Sequence, residues 1–128
     1  MACYLDSEFE EERLRLGITD SAICQAAKRL DADSHDGQLS AFIYKMRLPA
    51  QGRGKRGGAR SVVCYKKNHH QFFIFLYAKA ELSKKKGKEI EDEDIEAFAL
   101  IGKDLCNLPD ENLKSLVLSG VLKEVECV

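Results

Sequence analysis

The spacing of apolar residues changes twice along the chain, from a helical period to strand-like alternation and back to a helical period. Residues 2 to 5 are short and apolar and read as a frayed edge strand. From Asp6 to Leu16, Phe9, Leu14 and Leu16 punctuate a run of acids, which predicts a short amphipathic helix closed by Gly17 as a left-handed cap. The next helix is better marked: Thr19 is a good N-cap, Asp20 adds negative charge to the first turn, and Ile18 and Ile23 stand at hydrophobic-staple positions. Ile23, Ala26, Ala27 and Leu30 carry its apolar stripe to about residue 31, and Asp33, Ser34, Asp36 and Gly37 form a loop.

Ala41 to Leu48 then alternates, with Phe42, Tyr44, Met46 and Leu48 on one face and Ile43, Lys45 and Arg47 on the other. Ala59 to Tyr65 is a second strand, with Arg60, Val62 and Cys64 on one side and Ser61, Val63 and Tyr65 on the other. A polar turn, Lys66 to His70, leads into a third strand, Gln71 to Lys79, whose run of Phe72, Phe73, Ile74, Phe75, Leu76 and Tyr77 marks it as central and covered on most of both faces. Three consecutive strands with short connections read as an antiparallel meander. Lys84 to Lys88 is an exposed linker, Asp92 to Leu108 a helix with an acidic first turn, and Pro109 opens another helix for which Gly120 is the C-terminal stop. The tail from Val121 to Val128 alternates weakly and reads as an edge strand. There is no internal repeat, and residues 1–128 read as a single domain of the α+β class.

Charge alters this picture more than composition does. Lys45 to Lys88 holds thirteen of the twenty Lys and Arg residues and one acid, Glu81, a formal charge of +12 inside a chain whose total is -1. Such a dipolar distribution attracts polyanions, of which nucleic acid is the commonest in a cell. No apolar run reaches the roughly 18 to 20 residues of a membrane span, and the first residues have no signal-peptide pattern, so a cytoplasmic protein without membrane partners is expected. Cysteines at 3, 24, 64, 106 and 127 are odd in number with no CxxC pair. Cys24, Cys64 and Cys106 fall on apolar positions, which points to core packing with reduced thiols and away from metal or redox chemistry. His35, His69 and His70 occupy a polar loop and a turn and read as exposed titrating side chains.

Gly52-Arg53-Gly54-Lys55-Arg56-Gly57-Gly58 lacks the order of a Walker loop and opens onto a strand, so it is no nucleotide cradle of that kind. With no nucleophile elbow and no HExxH, the candidates for chemistry are Lys, Arg and Tyr. Lys45 and Arg47 share a strand face, Arg60 begins the next strand and Lys79 ends the third, so a meander lets the four cations converge at one end of the sheet. The alternative for each is a solvated edge charge, and for Tyr77 it is core packing. A convergent cationic site needing no metal or cofactor suits cleavage of RNA by its own 2′-hydroxyl. The protein has only to align the attack, move a proton and stabilise the phosphorane. A guanidinium fork matches two phosphate oxygens, a lysine crowded by cations has a lowered pKa, and Tyr77 is placed to stack on a base or share in proton transfer.

Ile18 to Cys24, Tyr44-Lys45-Met46-Arg47, the run Gly52 to Arg60 and Leu76 to Glu81 occur in an order that resembles a HigB-like branch of the RelE/ParE superfamily, toxins of type II toxin–antitoxin systems, over roughly residues 9 to 126. The resemblance implies a small curved antiparallel sheet of three to four strands with the N-terminal and C-terminal helices packed on one face. It also implies ribosome-dependent, metal-independent mRNA cleavage (an mRNA interferase) blocked by a cognate antitoxin protein. By motif, Lys45, Arg47, Lys55, Arg60 and Lys79 would line the RNA-facing surface, with Arg53 and Arg56 beside them; Arg60 would stabilise the phosphorane and Lys79 assist charge neutralisation or proton transfer. The chain departs from that pattern at Arg56, Ala59, Ala80 and Leu82, the last two directly beside Lys79. Two other readings therefore accompany the nuclease: a non-catalytic RNA- or ribosome-binding module on the same surface, and a ParE-like toxin acting on DNA gyrase.

Overall fold

The computed structural model describes residues 2–49, 58–78 and 92–127. In chain order they form β1 (Ala2–Asp6), α1 (Ser7–Arg15), α2 (Asp20–Asp31), β2 (Gln38–Ser40), β3 (Ile43–Leu48), β4 (Ala59–Tyr65), β5 (Gln71–Ala78), α3 (Asp92–Cys106), α4 (Asp110–Leu118) and β6 (Leu122–Glu126). Both N-terminal helices start where a side chain satisfies otherwise orphaned amides: the Asp6 carboxylate accepts from the N–H groups of Glu8 and Phe9 at 2.7 and 3.0 Å, and Thr19 Oγ1 accepts from Ala22 N–H at 3.1 Å. Gly17 and Gly120 follow α1 and α4 at φ 70° and 82°, the left-handed region in which a side chain is strained.

The strands form a mixed sheet in the order β2-β3-β4-β5-β1-β6. The meander β3-β4-β5 lies within it and is antiparallel throughout. Residues 2 to 5 are not an edge strand: β1 runs parallel to β5 and antiparallel to β6, so it is internal. Cys3, Tyr4 and Leu5 are all buried, the mark of a strand covered on both faces, but three residues are too few for periodicity to reveal it. The sheet is thus larger than the three or four antiparallel strands expected and is not purely antiparallel.

Helices cover both faces of the sheet, not one. On the first face Tyr44, Met46, Leu48, Ala59, Val63, Tyr65 and Phe73 pack with Phe9 of α1 and Ile23, Ala26, Ala27 and Leu30 of α2. On the second, Ile43, Val62, Cys64, Phe72 and Tyr77 pack with Ile95, Phe98, Leu105 and Cys106 of α3 and with Leu113, Leu116 and Val117 of α4. The physical cause is β5, whose aromatic residues point both ways and cannot be left wet on either side. Gln71 Nε2 donates to Ala27 O at 2.8 Å and the Tyr65 hydroxyl bonds Asp31, tying α2 to the sheet. Among the described residues no helix is long and apolar enough to cross a membrane.

Two further expectations are corrected. Cys24 on α2, expected as a free core cysteine, is joined in a disulfide to Cys127 just beyond β6, across a sequence separation of 103. Motif spacing cannot register such a pair, because only the packing of α2 against the end of β6 brings them together. Cys3, Cys64 and Cys106 are free thiols. His35 is not freely exposed either: its Nδ1 is enclosed without a hydrogen-bond partner and its ring lies 5.0 Å from that of Tyr44.

Candidate nucleic-acid interface

The meander's register decides which of the candidate residues meet. Arg47 of β3 pairs with Arg60 of β4, and Arg60 pairs with Tyr77 of β5, so the three form one row across adjacent strands. Lys45 pairs with Val62, two residues along from this row and on the same, second face. Cross-strand partners have Cα atoms about 5 Å apart, so the two arginines start side by side. Alternation keeps them together in spite of a bulge in β5, where Val62 pairs with Phe75 and Val63 with Phe73, leaving Ile74 as the additional residue. Lys79, Arg53, Lys55 and Arg56 lie outside the described residues.

Exposure separates the members of the row. Arg47 is exposed and Lys45 half-buried, whereas Arg60 is 3% and Tyr77 6% exposed. Arg60 Nη1 donates to the carbonyl of Ala59 at 3.3 Å. The Tyr77 ring leans on Phe75, centroids 5.6 Å apart, and Phe75 in turn packs on Phe98 of α3 at 5.4 Å. Tyr77 therefore does take part in the apolar cluster of this face, and the RNA-facing Arg60 that the resemblance implies is covered in this structure.

A residue that sequence reasoning left in a loop turns out to hold the row in place. Asp36 Oδ2 accepts the backbone N–H of Arg47 at 2.7 Å, and both its carboxylate oxygens accept from Arg29 Nη2 of α2 at 3.0 Å. The adjoining backbone also pairs with Lys45, Asp36 N–H donating to its carbonyl at 3.0 Å and Lys45 N–H to Gly37 O at 2.7 Å. Burial alone would raise the Asp36 carboxyl, but the Arg47 amide and the Arg29 guanidinium outweigh it and hold the group below its ordinary value of 3.8. No spacing signal in the sequence marks this clamp, because it is made across three elements.

Asp36→Ala is expected to cost about 1–3 kcal/mol, as for hydrogen bonds to a charged acceptor. A carboxyl whose folded pKa is depressed stabilises the fold fully above its unfolded value and loses that contribution as pH falls through the folded value. The wild type should therefore lose stability on acidification more steeply than the variant, and the gap between them should close at the acid end. Urea unfolding of both proteins from neutral pH down to about pH 3 measures this, and a gap that stays constant with pH would contradict it.

Chemically, the row is a like-charge pair set directly opposite across two strands, with a third cation close by. Such pairs destabilise a sheet unless a negative charge offsets them. Guanidinium forks on neighbouring strands suit two oxygens of one phosphodiester. Among the described residues no group of His, Cys, Asp and Glu is arranged to hold a metal ion. A family model described as the RelE toxin of the RelE / RelB toxin–antitoxin system matches residues 1–125 of the chain. No curated protein and no solved structure matches it.

Proposed function

Since this chain belongs to the RelE toxin family, we propose that it is the toxin of a type II toxin–antitoxin system, of the HigB-like branch, and that it cleaves mRNA on the ribosome through attack by the RNA's own 2′-hydroxyl. The observation that carries the reading is the in-register row Arg47, Arg60 and Tyr77 with Lys45 on the same face. Arg60 stabilises the charge on the phosphorane and Lys79 neutralises charge or moves a proton; Lys45 shares in this, and Tyr77 stacks on a base or relays the proton. Arg47, Arg53, Lys55 and Arg56 hold the RNA backbone, an interaction that weakens as salt rises. The protein acts in the cytoplasm and is restrained by a cognate antitoxin that sets acidic side chains against the basic stretch between Lys45 and Lys88.

Expression of the protein in a growing bacterium is expected to arrest growth and translation and to create new mRNA 5′ ends, while the double variant Arg60→Ala, Lys79→Ala does neither. Unimpaired growth with the unmutated protein would overturn the reading. The burial of Arg60 beside an exposed Arg47 favours one second reading, a module that binds RNA or ribosomes through Arg47 and Lys45 without cutting. It predicts salt-sensitive association with ribosomes and no new 5′ ends.

A further inference from the structure

A phosphate must approach a guanidinium to within about 3 Å to be held by it. Arg60, at 3% exposure, cannot be reached in that way as the structure stands, and Tyr77 beside it is 6% exposed. Of the two described helices on this face, α4 packs against β6 and α3 against β3 and β4. Ile95 and Phe98 of α3 lie against the apolar cluster that contains Tyr77 and Val62, the cross-strand and same-strand neighbours of Arg60. A ladder of rings, Tyr77 to Phe75 to Phe98 at 5.6 and 5.4 Å, fastens the helix over the strands. Nearer its C-terminus Gly102 is pressed so close that a Cβ there would stand 2.6 Å from Ile43 Cδ1 and 3.3 Å from Cys64 Sγ.

The two helical layers are held unequally. α2 sinks Ile23, Ala26, Ala27 and Leu30 fully into the first face. In α3, Ile95, Phe98, Leu105 and Cys106 are only half-buried, and among its residues of described burial only Gly102, which has no side chain, is buried; Leu100 and Ile101 face outward at 69% and 44% exposure. Elements with few fully buried apolar groups open at the lowest free energies of a fold.

We propose that α3 is a lid over the Arg47–Arg60–Tyr77 row, that the structure is its closed state, and that RNA reaches Arg60 only when α3 lifts from the second face. The inference rests on the RNA-cleavage reading for its ligand, and it adds the regulation of that site. Exposed Arg47 and half-buried Lys45 take the RNA backbone first, and the apparent affinity of the complete row is the intrinsic one reduced by the fraction of open molecules. Anything that binds the open form raises that fraction by mass action, RNA included.

The test compares a locked lid with a loosened one. Gly102→Cys sets a new thiol within bridging reach of Cys64; with Cys106→Ser in the same chain, Cys64 has a single partner on α3. Diamide takes two electrons and two protons from the two thiols as the S–S bond forms, becoming the hydrazine, and peptide mapping verifies the bond. Phe98→Ala instead removes the rung that meets Phe75. Arg60 accessibility is read as the rate of phenylglyoxal modification at that residue by peptide mass spectrometry, with exposed Arg47 as the internal reference. Relative to wild type, Phe98→Ala should modify Arg60 several-fold faster and the locked protein at least tenfold slower, with Arg47 unchanged in both. RNA cleavage should follow the same order. Equal Arg60 rates in the locked and loosened proteins would overturn the lid. Arg60 rates that follow the lid in a protein that cuts no RNA in any state would sink the nuclease reading and leave the lid standing.

Discussion

Arg60→Ala is expected to reduce RNA cleavage by about 10²–10³-fold, the loss found when a group aimed at the developing oxyanion is removed. Arg60→Lys should recover only part of this, because a lysine keeps the charge but presents a point donor in place of a fork matched to two oxygens. Arg47→Ala should behave differently. Arg47 is exposed and Arg60 is not; as the proposed holder of the RNA backbone, away from the reacting oxygen, Arg47 would bind ground state and transition state alike. Losing uniform binding of that kind raises KM while leaving kcat nearly unchanged. Ribosome-programmed cleavage with the three variants, analysed as kcat and KM separately, measures the split. Thermal unfolding of each variant is the companion measurement, since Arg60 is buried and its loss could weaken the fold as well as the chemistry. A rate loss in Arg60→Lys as large as in Arg60→Ala, without loss of stability, would mean that the fork itself carries the effect. A rate unchanged in Arg60→Ala would remove Arg60 from the chemistry.

The placement of this row could be read from the sequence because it depends on local pattern alone. Alternation in residues 41–48 and 59–65 assigned Lys45, Arg47 and Arg60 to faces, and short connections made β4 the neighbour of both β3 and β5. What sequence could not supply is whatever depends on contacts between distant segments. β1 pairs with β5 and β6, partners that lie at the middle and the end of the chain, and its register follows from their packing. The burial of Arg60 has the same origin, since it is set by tertiary contacts over the second face. Alternation says which way a side chain points but not what stands above it. Asp36 reads as an ordinary loop acid until the fold brings it against the Arg47 amide and Arg29. The same limit applies to Cys24 and Cys127, whose pairing is a fact of tertiary packing and has consequences for stability.

Reducing the Cys24–Cys127 disulfide should have the largest effect on stability of any single covalent change in the chain. The bond closes a loop with a sequence separation of 103. In the chain-entropy account a loop of that size restricts the unfolded ensemble by about 4–5 kcal/mol at 25 °C. For a chain of this length that corresponds to a fall in Tm of roughly 15 °C. The bond also anchors the chain's last described residues against α2 on the first face, so β6 and its pairing with β1 should loosen first. A third sulfur stands close, Cys3 Sγ 3.9 Å from Cys127 Sγ. Exchange needs a thiolate, and the Cys3 thiol is pushed up to about 12, by burial first and then by the charges of Asp20 and Glu126. At neutral pH it is therefore protonated and inert, and peptide mapping under non-reducing conditions should return Cys24 with Cys127 and no bond to Cys3. Raising the pH increases the thiolate fraction about tenfold per unit, so a bond between Cys3 and Cys127 should emerge in strongly alkaline solution. Calorimetry of the oxidised protein, the reduced protein and Cys127→Ser provides the decisive comparison. The last two should melt together, well below the first. Coincident melting of all three would mean that the reduced chain's own packing already holds the two ends together, and that the bond adds nothing to the fold.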